Sequence, residues 1–232
     1  MKVSSTSPVP SNWSSFLRVD ENKAELFNFL ARQISSIQVA GKMIISTLDT
    51  DIICSSEVQH LSMITPCSHE EGDTRIMLHV AHCVHLGLTR ICLRTVDTDV
   101  VVLAVNTMAE LDTLNELWVA FGTLNNFRYI PAHTISHSLG MQKSRALLMI
   151  HALTGCDTVS SFSGRGKKSA WETWTACPAV TPTLVSLSRM PNMVSDVDLE
   201  EIERYVVTLY SRTCPLSTGN EARRSLFYIS IL

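Results

Sequence analysis

The sequence predicts a mixed α/β domain followed by a helical C-terminal part. Up to about residue 160, short β-branched or aromatic runs such as Arg90–Val96 and Leu117–Phe121 alternate with segments whose apolar residues recur at helical spacing. Beyond that point the pattern is helical, as in Asp196–Arg212, where Leu199, Ile202, Val206 and Leu209 repeat on one face. The chain divides accordingly into a loose Ser/Pro-rich lead-in over 1–20, an α/β core over 21–160 and a helical extension over 161–232. The last helix starts near Glu221 and stops at Leu232 as though cut short.

Composition bounds the function. With 45% hydrophobic and 18% charged residues the chain is globular rather than disordered. No apolar run approaches the ~20 residues of a membrane helix, and MKVSSTSPVPSNW has no apolar signal core. The expectation is an intracellular protein, nuclear or cytoplasmic, without a membrane partner. The seven cysteines are odd in number, irregularly spaced and without a CxxC pair, which suits a reducing compartment. A net charge of −3 excludes a generally basic nucleic-acid coat but allows a local basic patch.

In chain order, Leu26, Phe27, Leu30 and Ile34 predict a first helix over about 22–34. Gly41 breaks it, Met43–Ser46 reads as a short strand, and Asp49 and Asp51 follow as a carboxylate pair or a solvated turn. Ser68-His69-Glu70-Glu71 opens a helix to about Leu86, with Ser68 and Glu71 matching a capping box. Asp73 falls on the same side as Ile76, Val80 and Val84, so it faces inward. His79 and Cys83 have the i, i+4 spacing of zinc ligands. His82 and His85 point away from the apolar stripe, and packing is preferred to metal binding.

Arg90–Val96 is a strand, and Asp97 and Asp99 then interrupt an apolar run that resumes at Val100. Such acids need compensation if buried, and in open α/β sheets ligands bind at the C-terminal ends of strands. Val100–Val105 reads as strand by its β-branched content, or as helix with Asp99 as N-cap. Leu117–Phe121 and Phe127–Ile130 form a hairpin or neighbouring strands. A short helical stretch then leads to Gly140, and Lys143–Leu153 is an apolar helix with Gly155 at its C′ position. Asp157 lies just beyond, where a helix end favours cations, so either a metal or a capping role must hold it.

Gly164-Arg165-Gly166-Lys167-Lys168 precedes the helical WETW. Glycines before a helix expose amides that bind phosphate, although a Walker A loop is excluded by Ser161 and Lys168. From 143 to 168 five basic residues (Lys143, Arg145, Arg165, Lys167, Lys168) face one acid, Asp157, which predicts contact with a polyanion or a solvated charged loop.

EGD at Glu71–Asp73, DTD at Asp97–Asp99 and GCD at Gly155–Asp157, followed by Gly164, Gly166 and Ala170 in the order G-x-G-x-x-x-A, resemble the flap-endonuclease (XPG-type) branch of the PIN-like nucleases. The resemblance covers about 68–174. Segments such as HEEGDTRI, RTVDTDVVVLAV, LTGCDTVSSF and GRGKKSAWETW also resemble a group of multicopy animal proteins that carry this core and are associated with mobile elements. The family's strand and aspartate before the first helix are not matched by SSTSPVPSNW, and Asp49 stands only loosely for a further family acid.

The resemblance implies a three-layer PIN-like core with a central, mainly parallel sheet. It implies a divalent-metal nuclease with Mg²⁺ or Mn²⁺ on Glu71, Asp73, Asp97, Asp99 and Asp157. Asp73, Asp97 and Asp99 would be catalytic. Gly164, Arg165, Gly166, Lys167 and Lys168 would grip nucleic acid, DNA first. Two other readings are a binding module that keeps the fold without turnover, and a phosphatase or nucleotide-binding enzyme, for which no phosphate loop exists.

Overall fold

A computed structural model describes residues 3–69, 72–156, 159–190, 192–216 and 218–229. The chain is mixed α/β and divides into two compact units, Met1–Gly87 and Leu88–Leu232. The boundary falls inside the 21–160 span.

In the first unit, α1 (Trp13–Leu17) and α2 (Asp20–Ser35) precede an antiparallel pair, β1 (Ile45–Leu48) and β2 (Asp51–Cys54), and then α3 (Gly72–His85). Register Leu48↔Asp51 leaves Asp49 and Thr50 as a two-residue turn. Asp49 adopts φ 51°, the left-handed conformation such hairpins require. Arg75 of α3 donates to the carbonyl oxygens of Asp49 and Asp51, and Thr65 Oγ1 donates to Asp51 Oδ1 at 3.0 Å. The Asp49/Asp51 pair is thus built into a turn that α3 clamps.

Two expectations change here. The apolar set of α2 does not become core: Phe27, Leu30 and Ile34 stay exposed, while Ala31 and Ser35 are buried. Ser35 sits against β2, its hydroxyl donating to Ile53 O at 3.4 Å, so the small side of the helix meets the hairpin. His82, expected away from the apolar stripe, is buried, because its Nε2 has a partner in Gln59 O at 2.9 Å. A paired imidazole can be buried where an unpaired one cannot. His85 stacks edge-on against His60.

The second unit opens with β3 (Arg90–Thr95), α4 (Thr98–Met108), β4 (Glu116–Phe121) and β5 (Arg128–Pro131). Strand order is β3-β4-β5, with β3 and β4 parallel through the α4 crossover and β4 and β5 antiparallel. Where a mainly parallel sheet is expected, one junction of each kind is found among the described residues. The reason is that the Gly122–Phe127 connection is too short for anything but a hairpin. Gly122 has φ +88°, and a Cβ there would stand 2.4 Å from Asn126 O, so only glycine closes this turn.

After the sheet, α5 (Ala132–Leu153) is broken at Gly140, where φ 75° and ψ 161° leave the helical region. Ser136 and Ser144, both buried, hydrogen-bond to each other across the break. The second half of α5 then enters a core with α6 (Lys167–Ala176), α7 (Thr181–Arg189) and α8 (Asp196–Tyr210), leading on to α9 (Gly219–Ile229). Ala146, Ile150, Trp174, Val180, Leu184 and Tyr205 form its buried centre. The two polar tips inside it are satisfied: Trp174 Nε1 donates to Thr181 Oγ1 and Tyr205 Oη to Ala170 O, both at 2.9 Å. Burial pushes the Tyr205 phenol up to about 12. The helical extension therefore shares one core with the end of α5.

Two consequences can be measured. Leu184→Ala opens a cavity in the fully buried centre of this core and is expected to cost about 2–5 kcal/mol in urea unfolding. In the first unit, burial, with Arg75 and His82 nearby, lowers the His79 imidazole below its ordinary value. A depressed folded pKa means that the unfolded chain binds the proton first. Stability is complete above about pH 6.5 and is lost as the pH falls below it. Unfolding midpoints from pH 7.5 to 4.5 should show this loss, and His79→Gln should flatten it.

Candidate active site

Thr95 ends β3 with its hydroxyl accepting from Asp97 N at 3.0 Å, which turns the chain off the sheet. Asp97 has extended backbone angles and its Oδ1 accepts from Asp99 N at 2.8 Å. It is therefore the N-cap of α4, and the ambiguous Val100–Val105 run is helix. The cap is Asp97 rather than Asp99, because the cap must stand outside the helical angles while the second helical residue stands within them. Both residues lie at the start of α4, at the positive end of its dipole.

Asp99 has a partner that sequence reasoning missed. His151 Nε2 in the last turn of α5 lies 2.9 Å from Asp99 Oδ1, and both side chains are largely withdrawn from solvent. The available signal was a histidine inside the apolar ALLMIHAL run, where a buried imidazole needs a polar partner. The contact brings the DTD segment to the helix end that leads into Gly155-Cys156.

That helix end is built as the sequence predicts. Thr154 is the C-cap and Gly155 the C′ residue, with φ +96°. A Cβ on Gly155 would stand 2.7 Å from Ser161 Cβ and 2.8 Å from its Cα, so close packing as well as conformation demands glycine. A cation does sit on the end of α5: Lys167 Nζ donates to His151 O and, at 3.0 Å, to Thr154 Oγ1. Burial lowers the Lys167 ammonium, while Cys156 and Asp99 oppose that shift. Asp99, His151, Thr154, Cys156 and Lys167 thus form one polar group where α4, α5 and α6 meet.

The glycine loop is partly committed to the fold. Gly164 has φ +68° and Gly166 is the N-cap of α6. Arg165 donates to Tyr210 O at 3.0 Å and lies over the Tyr210 ring. Arg145 forms a two-point pair with Glu110, and Lys143 lies over Trp174. Of the five basic residues counted from sequence, Lys168 is the one whose exposed side chain stands apart from these contacts.

Of the five expected metal ligands, Glu71 and Asp157 lie outside the described residues. Asp73 is half-buried in the first turn of α3, in the first unit, and Asp97 and Asp99 are in the second. Among the described residues no three His, Cys, Asp or Glu side chains are grouped to hold a metal ion. The two carboxylates at the start of α4 suit a hard cation such as Mg²⁺. That ion commonly takes one or two protein carboxylates and completes its shell with water and substrate phosphate. Asp97→Ala removes the cap as well as the charge and should cost about 0.5–2 kcal/mol. Asp97→Ser keeps a capping oxygen and should unfold near the wild-type urea midpoint. This pair of variants separates the structural duty of Asp97 from a chemical one.

Comparison with protein-family models, with curated proteins and with solved structures finds no match to this chain. What the site can do therefore rests on its own residues.

Proposed function

We propose that the chain is a nuclease-like protein of the PIN-like, flap-endonuclease type, with a three-layer core, acting on nucleic-acid phosphodiesters inside the cell. The observation that carries this reading is the meeting of the DTD acids, the helix end before GCD and a lysine at one place in the second unit. Three sequence segments that the resemblance assigns to one site are joined there by the Asp99–His151 contact and by Lys167 on the end of α5.

Asp97 and Asp99 would hold Mg²⁺ or Mn²⁺. Such a cation supplies an activated water and charge stabilisation for phosphodiester hydrolysis. His151 orients the Asp99 carboxylate, leaving its second oxygen for a ligand. Asp97 likewise spends one oxygen on the α4 amide. Lys168 and the Gly164 and Gly166 amides would meet the phosphate backbone, preferably of DNA, so binding weakens as salt rises.

A second reading has an observation in its favour. Asp99 and Lys167 are each engaged within the protein, by His151 and by the end of α5. A chain whose site groups serve the fold would keep its shape and bind nucleic acid or protein without turnover.

Cleavage of labelled flap and single-stranded DNA with Mg²⁺ or Mn²⁺ separates the two. For the nuclease, Asp97→Ser/Asp99→Asn should lower the rate by more than about 100-fold, beyond the usual loss from a supporting partner alone. Equal cutting by wild type and variant would remove the activity from this site. Absence of cutting by a folded wild type would favour the binding module.

A further inference from the structure

The three-stranded sheet of the second unit has two unlike faces. Residues directly opposite in register share a face, and alternate residues along a strand change face. Leu93, Leu117 and Val119 are buried on one side. The other side carries Arg94 opposite Ala120 opposite Tyr129, with Cys92 and Trp118 in the next row. Phe127 lies two residues before Tyr129, and their rings meet edge-to-face at 5.2 Å.

On this second face Ala120 is buried and Trp118 half-buried, while the part at Arg94, Phe127 and Tyr129 is open. Tyr129 is 61% and Phe127 42% exposed, and Arg94 and Cys92 are exposed too. Arg94 is held flat along the sheet: its guanidinium donates to the carbonyl oxygens of Thr95, Ala120 and Gly122 at 2.7, 3.0 and 2.6 Å. It also lies over the Phe127 ring at 5.3 Å. Those bonds fix its geometry while leaving its charge uncancelled. The other charges on this face, Arg90 and Glu116, pair with each other. A fixed planar cation beside two exposed aromatic rings on a sheet is the chemistry that accepts unstacked bases and a phosphate backbone. A duplex hides its base faces and has no use for the rings.

We propose that this face of the sheet binds single-stranded nucleic acid, with Tyr129 and Phe127 as base-stacking platforms and Arg94 as the cation that meets the backbone. The site adjoins the strand exit that carries Asp97 and Asp99, since Arg94 donates to Thr95 O, but it uses other residues and goes beyond the hydrolytic reading. It operates without metal, so each can fail alone.

The test is equilibrium binding of fluorescein-labelled 12-mer oligonucleotides to the full chain in EDTA, where metal-dependent hydrolysis is silent. Single-stranded DNA, single-stranded RNA and a duplex of the same sequence are compared. Single strands should bind more tightly than duplex, and binding should weaken with salt. Tyr129→Ala and Phe127→Ala should each raise the single-strand Kd by roughly fivefold to a hundredfold, while Tyr129→Trp should keep it. Photocross-linking of wild type to a thiothymidine- or 4-thiouridine-substituted strand should map to 116–131, and this arm holds even if an alanine variant misfolds. The proposal is overturned by unchanged Kd in folded Tyr129→Ala, by duplex binding as tight as single strand, or by cross-links confined to the 164–168 loop. Absence of oligonucleotide binding at low salt also overturns it and leaves the face to a protein partner.

Discussion

The second unit depends on α5, which buries residues in both its halves: Ala132 and Ser136 in the first, Ser144, Ala146 and Ile150 in the second. Alanine and serine at 146 and 144 leave no accessible surface, and small residues of this kind let neighbouring helices approach closely. From this one helix the unit extends in two directions. Its first half follows β5 directly and returns a His133 contact to the Leu117 backbone of β4. Its second half supplies Ala146 and Ile150 to the helical core. The break at Gly140, bridged by Ser136 and Ser144, lets one segment serve both, and each serine gives the other a partner where water is excluded.

The polar group at the end of α5 follows from the same burial. A helix end inside a protein presents carbonyl oxygens that need donors, and Lys167 reaches back from the start of α6 to supply them. Asp99 then stands opposite a cation and an imidazole rather than alone. One geometry therefore does two jobs: it closes a helix end, and it assembles an acid, an imidazole and an amine at the exit of a β-strand. Selection for stability alone accounts for the Lys167 and Thr154 contacts. It accounts for Asp97 as the cap of α4, and less well for the second acid, Asp99, since one cap satisfies the α4 start.

Much of this was legible before the structure. The strands at 90–95 and 116–121, the hairpin to 130, the helix into Leu153 and the C′ glycine at 155 follow from local rules of turn chemistry, periodicity and capping. Those rules depend on neighbours in sequence. The burial of His82 and the exposure of Phe27, Leu30 and Ile34 did not follow, because periodicity identifies an apolar stripe without saying whether another element covers it. His151 was invisible for a related reason, since its partner lies 52 residues away.

The sequence by itself determined the alternation of strands and helices up to Leu153, the C′ glycine at 155, and the placing of Asp97 and Asp99 at a strand exit. Tertiary structure decided that Asp97 caps α4 while Asp99 meets His151, that Lys167 is spent on a helix end, and that one face of the sheet keeps its arginine and aromatic rings in solvent. The physical reason is range. Capping and turn formation are settled within a few residues, whereas burial and charge pairing are settled by whatever the chain brings back from far away.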